Sequence, residues 1–383
     1  MKKQKICIVG GGLTGLVTAI GLSKLNCEID IIINNTYKNA RSYRTVAVSE
    51  NNFDFINKLN ISESLKKEMW PSSDMKLYTE VTNGKFSEIF DFKSHNKKKR
   101  ILYVIENSKI IKLMMYKIKK IKSITIKKYS KIFKIDNSGL MAKVKVDNNY
   151  NKYNLIILCT GSNSSLVKEH FQDQKIENSY KELSITTIIK HHLIKNNTAR
   201  QLFLDNEILA LLPISHNKTS VVWSVKKNTT KTKDLAFIKN KIKFYTENFL
   251  KNIKFDSKIE HKDLNFLIRN KYYQNRVLLF GDALHVIHPF VGQGFNMTIR
   301  DLKSLIKILS KKINLGLDIG GSDILSEFSN EIKPRNFGFS FGTDLLKNLF
   351  SYKNFRNQTL KVLNKNNFAK NIFFNIADKG FKF

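Results

Sequence analysis

Apolar positions fall along this chain in two patterns: short unbroken runs that stop at glycine, and longer stretches in which apolar and polar residues alternate. The first run, Lys5 to Val9, leads into Gly10-Gly11-Gly12-Leu13-Thr14-Gly15 and then an amphipathic helix reaching about Leu25, with a second strand at Glu28 to Ile33. A second run, Leu155 to Leu158, ends in Cys159-Thr160-Gly161. A third, Val277 to Phe280, ends in Gly281-Asp282 and passes through a loop marked by Pro289, Gly292 and Gly294 into a helix from Asn296. The alternating stretches predict two strands between Met75 and Phe92, three Lys-studded strands between Ser123 and Val146, and antiparallel strands over Ile185 to Lys195 and Gln201 to Val225, with a hairpin around Asn217. Helical periods predict a helix through Phe53 and Leu59, one from about Ser108 to Ile121, one from Lys233 to Leu250, one or two over Ser322 to Phe350, and a last one ending near Gly380. His95 to Arg100 reads as a basic, solvated turn.

Composition narrows the class. The chain has 383 residues, 42% of them hydrophobic, enough for one large or two ordinary domains with ample core. Its formal charge of +34 is spread along the chain as lysine, with no Arg-rich tail and no zinc-finger spacing, so it reads as a solvated surface rather than a nucleic-acid footprint. The other reading of that charge is attraction to anionic lipid headgroups at a membrane periphery. Cys7, Cys27 and Cys159 lie in or beside predicted strands without metal-like spacing, which points to a reduced, cytoplasmic protein and no metal site. The apolar run to Leu25 is glycine-rich, lacks a cleavage site and falls short of the ~20 residues that span a bilayer, which argues against export or insertion.

Each glycine-ended run has chemistry of its own. Gly10, Gly12 and Gly15 form GxGxxG between a strand and a helix. The first glycine permits the turn, the second lets a diphosphate approach the backbone, and the third packs helix on sheet. At the end of the second strand, where a carboxylate commonly meets a ribose, stands Asn34, an uncharged hydrogen-bonding group. The third run offers Asp282 as an acceptor for sugar hydroxyls, and a glycine-rich loop at a helix N-terminus whose N–H groups suit a ligand.

The residues GDALH and HPFVGQGFNMTIRD (Gly281 to Asp301) resemble the flavin-contacting segment of single-component FAD-dependent aromatic hydroxylases, above all the ubiquinone-biosynthesis hydroxylases. Arg44-Thr-Val-Ala-Val-Ser49, Tyr103 to Asn107, Ala210 to Trp223, Thr343 to Phe350 and the last helix match that group in spacing. The resemblance implies an α/β fold: a Rossmann-like FAD-binding domain (1–74 plus 98–178 plus 264–383, with C-terminal helices) and an inserted antiparallel β-sheet substrate domain (75–97 plus 179–263). It implies bound FAD, NAD(P)H as transient reductant, and O2 as the source of one oxygen atom for a lipophilic phenol. Other ubiquinone-biosynthesis proteins are possible partners in this reading, and the inner membrane a possible peripheral site.

By the same resemblance, Gly10, Gly12, Gly15 and Arg44 serve the diphosphate, Asn34 a ribose, and Asp282 a ribityl or ribose hydroxyl. Pro289, Gly292, Gln293 and Gly294 line the reactive ring, with Asn296 and Met297 beside them. Gly161 belongs to the second cofactor motif, usually Ala-Asp-Gly, where this chain has Thr160; that departure bears on how the nicotinamide is positioned. His285 and His288 flank the loop as caps or as bases. Two rival readings remain: a hydroxylase of a small soluble aromatic, marked by a small pocket with a charged clamp rather than a wide apolar channel, and a flavin-binding scaffold with little turnover.

Overall fold

The computed structural model describes residues 3–34, 42–62, 65–93, 100–129, 134–147, 149–172, 175–228, 234–289 and 292–380. The expected basic turn at 95–100 lies outside these residues except for Arg100. The glycine-ended runs build one six-stranded sheet, ordered Tyr273–Gln274, Val277–Leu279, Leu155–Leu158, Gln4–Val9, Cys27–Asn34 and Ile124–Tyr129. Its inner pairings are all parallel, which explains why these runs are continuously apolar: both faces are covered. All three glycine turns consequently leave the sheet at its carboxyl edge, where open α/β sheets bind ligands.

The helix after the first strand, Leu13–Leu22, differs from expectation. It is buried at every position from Gly15 to Leu22, not amphipathic, because it packs between the sheet and the helices Asn107–Ile118 and Gly294–Asn314. Gly21 permits the second contact, since a Cβ there would stand 2.9 Å from Ile306 Cδ1 and 3.1 Å from Leu302 Cδ2.

The alternating stretches build a nine-stranded sheet. Its order runs His285–Val286, Glu260–Arg269, Lys175–Lys190, Lys218–Lys226, Ile208–Ser215, Thr198–Phe203, Asp74–Thr82, Lys85–Lys93, with Lys254–Phe255 paired to the side of the third. The hairpin turns at His216-Asn217. Strands Lys175–Lys190 and Glu260–Arg269 run unbroken across the expected boundaries at 178/179 and 263/264 and tie the two regions together. Of the three strands expected between Ser123 and Val146, the first joins the parallel sheet. The others, Lys134–Asp136 and Ala142–Val146, form a separate meander with Asn149–Tyr153.

Strand alternation divides the two faces of the large sheet. Ile185, Leu202, Leu209, Leu211, Val221 and Trp223 pack against helix Leu235–Thr246. Ser184, Thr186, Ala199, Gln201, Ala210 and Val222 face the other way, and they are smaller. Ser322–Ser351 is a single helix of 30 residues despite Pro334; burial of Ile332, Asn336 and Phe339 around the proline keeps the chain helical through the lost hydrogen bond. Among the described residues, no helix is long and apolar enough to cross a membrane.

Candidate active site

Three sequence-distant turns meet at the carboxyl edge of the parallel sheet, and in the first and the third Gly10, Gly15 and Gly281 are there for want of room. Gly10 has φ +120°, and a Cβ on it would sit 2.6 Å from the Cys159 carbonyl oxygen; one on Gly15 would sit 2.0 Å from the Gly10 carbonyl oxygen. Gly281 (φ +63°) is covered by Thr14, whose Cγ2 would lie 2.5 Å from an added Cβ. Gly12 differs: its φ of −76° is open to any residue, so only the approach of something from outside requires a glycine there. Helix Leu13–Leu22 begins at Gly12 with no side-chain cap, which leaves its first N–H groups as donors for an anion. Across from it, Thr160 has a buried hydroxyl without a partner, and Gly161 (φ +84°) opens onto free space. A cradle of unpaired donors, an orphaned hydroxyl and backbone too close for any side chain fits a dinucleotide diphosphate. Asn34 ends the neighbouring strand, and Asp282 stands exposed on the turn Gly281–Ala283.

A cavity of about 340 Å³ lies between this region and the large sheet. Its floor is the small-residue face already described, where Thr186, Val222, Ala210 and Gln201 stand in a continuous cross-strand row, with Phe90 beyond. Met75, Phe92, Ile101, Leu102, Leu264 and Ile287 add apolar walls. Thr45 to Ala47 and Ser49 form one side, Pro289, Gly292, Gln293, Phe295 and Asn296 another, and Ala377 and Asp378 of the last helix close the end.

The expected site residues thus divide between two places. Arg44, Pro289, Gly292, Gln293 and Asn296 line the cavity, whereas Gly10, Gly12, Gly15, Asn34, Gly161 and Asp282 belong to the sheet edge outside it. Gly294 starts the helix Gly294–Asn314 and meets nothing where a Cβ would be; Met297 packs inward on Ile287 and Phe339. The Asn296 side chain is wholly engaged within the protein. Its oxygen accepts from the Ser49 N–H and Asn52 Nδ2, both at 3.0 Å, and its nitrogen donates to the Ala47 carbonyl at 3.0 Å and the Gly292 carbonyl at 3.2 Å. It therefore staples the loop to strand Thr45–Ser49. Arg44 is half-exposed at the rim, 3.6 Å from the Glu260 carboxylate.

Neither histidine faces the cavity. His285 Nε2 lies 2.9 Å from Asp301, which also accepts from Asn336, and His288 Nε2 lies 2.9 Å from Glu182. Both imidazoles are buried, and burial draws that of His288 below its ordinary value. His191, another buried histidine, is structural, bonded to Thr219 Oγ1 at 2.9 Å. Sequence reasoning missed Arg269, which is 2% exposed and donates from Nε to the Ala283 carbonyl at 2.8 Å and from Nη1 to the Phe171 carbonyl at 3.1 Å. It steadies the turn that presents Asp282, and its one signal was an arginine closing the apolar run Phe266 to Ile268. Asp378 was also missed; its Oδ1 accepts the Asn51 N–H and its carbonyl accepts the Ser49 hydroxyl.

A family described as FAD binding domain matches residues 3–335. The ubiquinone biosynthesis monooxygenase COQ6 of Dictyostelium discoideum is 21% identical over 97% of this chain and 88% of its own length. The ubiquinone hydroxylase UbiM of Neisseria meningitidis is 23% identical over 90% of this chain and 77% of its own. Among solved structures, p-nitrophenol 4-monooxygenase PnpA from Pseudomonas putida superposes with a TM-score of 0.78 over 100% of both chains at 14% identity. HpxO of Klebsiella pneumoniae, complexed with FAD and uric acid, superposes with a TM-score of 0.76 at 14% identity over 98% of this chain and 96% of its own. At these identities the superpositions establish the fold.

Proposed function

Because this chain belongs to the FAD binding domain family, as a flavin-dependent monooxygenase, we propose that it hydroxylates the aromatic ring of a polyprenylated phenol in ubiquinone biosynthesis, with NAD(P)H and O2 as co-substrates. The observation that carries this reading is the cavity: its walls are predominantly apolar, and no buried cation among the described residues points into it. Arg44 is engaged by Glu260, Lys262 is exposed at the rim, and Arg200 sends its guanidinium over the Phe249 ring, 5.6 Å away on the helix-facing side of the sheet. A small soluble aromatic acid would call for a charged clamp, whereas a prenylated ring gains from apolar burial at roughly 25 cal/mol per Å².

In this reading Gly10, Gly12 and Gly15, with Thr160 and Gly161, hold the FAD diphosphate side, Asn34 and Asp282 take sugar and ribityl hydroxyls, and Arg44 supports the anion. FAD supplies the oxygen chemistry, activating O2 for transfer of one atom to the ring. The chain supplies position. Pro289 limits the freedom of the loop, the Pro289 carbonyl accepts the Gly292 N–H at 3.0 Å, and the N-terminus of helix Gly294–Asn314 offers a positive dipole end that would favour negative charge on a bound flavin. The small residues Ser184, Thr186, Ala199 and Ala210 leave space for the phenol, and the surrounding apolar walls exclude water.

The test is steady-state NAD(P)H oxidation by FAD-loaded protein with matched prenylated and unprenylated phenols. The proposal expects kcat/KM at least about tenfold higher with the prenyl chain, since each methylene buried contributes about 0.8 kcal/mol. Preference for the bare phenol would favour a small soluble substrate, and no stimulation by either would favour a scaffold.

A further inference from the structure

The loop carrying Pro289 is held from behind by a buried ionic cluster. His288 is 1% exposed, and its Nε2 stands 2.9 Å from Glu182 Oε2; the other carboxylate oxygen takes Lys347 Nζ at 2.6 Å. One turn earlier on the Lys347 helix, Asp344 accepts the Tyr180 hydroxyl at 2.7 Å. The Tyr180 ring lies edge-on to His288 with centroids 4.9 Å apart, and 4.6 Å from the Lys347 ammonium. Tyr180 and Glu182 come from an irregularity in strand Lys175–Lys190, where pairing with Glu260–Arg269 jumps from Ser179 to Glu182 and Lys181 adopts φ +52°. A bulge of this kind re-aims a side chain.

The cluster is an expensive way to gain stability. A buried ion pair rarely outperforms apolar packing, because desolvation offsets the attraction; what it contributes is fixed geometry. Its protonation is settled by the same surroundings. Burial, the largest influence on both partners, draws His288 below its ordinary value and favours an uncharged imidazole beside Glu182. Burial also pushes Glu182 upward, but hydrogen bonds from His288 and Lys347 outweigh it and keep the carboxylate ionised.

We infer that Glu182 and Lys347 are positioning residues: acting through His288, they fix the Pro289 end of the flavin-facing loop at the height the reaction requires. This rests on the flavin-dependent reading of the site.

Two readouts separate the inference from that reading. In the cofactor-free protein, E182A is expected to speed amide exchange at residues 284–288 and 292–294 by about tenfold relative to wild type, with strand Gln4–Val9 unaffected. In the FAD-loaded protein it is expected to shift the visible flavin band and cut hydroxylation per NAD(P)H consumed by about fivefold or more, with KM for NAD(P)H unchanged. E182Q/K347M removes both charges yet keeps an acceptor for His288, and is expected to restore coupling. Unchanged loop exchange in folded E182A overturns the inference, as does a loosened loop with unaltered flavin band and coupling. Should E182A fail to fold, K347M carries the test. Without Lys347, and with Tyr180 and Asp344 unchanged, His288 becomes the cation partner of Glu182, and the pH profile of coupling moves upward by about one unit; an unmoved profile overturns the inference. Wild-type protein that binds no FAD would sink the functional reading, while the exchange result in the cofactor-free protein would still decide whether the clamp exists.

Discussion

The parallel sheet and the large sheet, antiparallel except where Thr198–Phe203 runs parallel to Asp74–Thr82, approach one ligand space with different materials. On the parallel side the limit is backbone: Gly15 and Gly10 lie so close that a single methyl group would stand 2.0 Å from a carbonyl oxygen, and the donors belong to a helix N-terminus. On the antiparallel side the limit is side-chain size: Ala210, Thr186 and Val222 face the cavity, while their neighbours Leu209, Ile185 and Trp223 fill the core under helix Leu235–Thr246. A surface made of backbone has no smaller or larger version, so it serves a ligand that never varies. One made of side chains is adjustable, which suits a substrate.

Substitutions ranked by expected effect test that contrast. Gly15→Ala forces backbone against backbone and should destabilise the fold by about 3 kcal/mol or more and abolish retention of FAD, measured by urea midpoint and visible absorbance. Ala210→Phe extends into open cavity; stability should stay within about 1 kcal/mol and FAD remain bound, while kcat/KM for a prenylated phenol falls at least about tenfold. If Ala210→Phe instead lost FAD, the division of labour would be wrong.

A third substitution probes the far face of the same sheet, away from the ligand. Glu207 accepts the Trp223 indole N–H at 3.1 Å, and burial pushes its carboxyl from 4.5 to about 7. The folded protein therefore keeps a proton that the unfolded chain releases, so stability from this group is full below pH 4.5 and is lost as pH rises toward 7. Glu207→Gln should remove that slope and gain on the order of 1–2 kcal/mol relative to wild type at pH 8, by denaturation at several pH values, with substrate kinetics unchanged. The smallest effect is expected at Thr160. Thr160→Ala deletes an unpartnered buried hydroxyl, so the cofactor-free protein should be no less stable, yet FAD should bind several-fold more weakly for the loss of a hydrogen bond of about 1 kcal/mol.

What the sequence made legible follows the same division. Gly10, Gly15 and Gly281 were readable because each turn is local and its geometry is dictated by a few consecutive residues. The hairpin at Asn217 and the strands through Ile185 and Ala210 were readable from alternation, although the first spans Lys175–Lys190 rather than Ile185 to Lys195 and nothing in alternation says which face meets a ligand. Leu13–Leu22 was misjudged as amphipathic because its second and third partners, Asn107–Ile118 and Gly294–Asn314, come from far along the chain. The full engagement of Asn296 by Ser49, Asn52, Ala47 and Gly292 was hidden for the same reason, as was the pairing of Arg44 with Glu260. Glu182 was least visible: it reaches His288 only because a strand irregularity turns it inward, and Lys347 arrives from a helix more than 160 residues later.

The most direct measurement is the fate of labelled oxygen. FAD-loaded protein given NAD(P)H and a polyprenylated phenol under 18O2 should yield a product carrying one 18O atom on the ring, detected by mass spectrometry, and none when the label is in water. NAD(P)H consumed with all the label recovered as hydrogen peroxide, and no labelled ring from any phenol offered, would contradict the account.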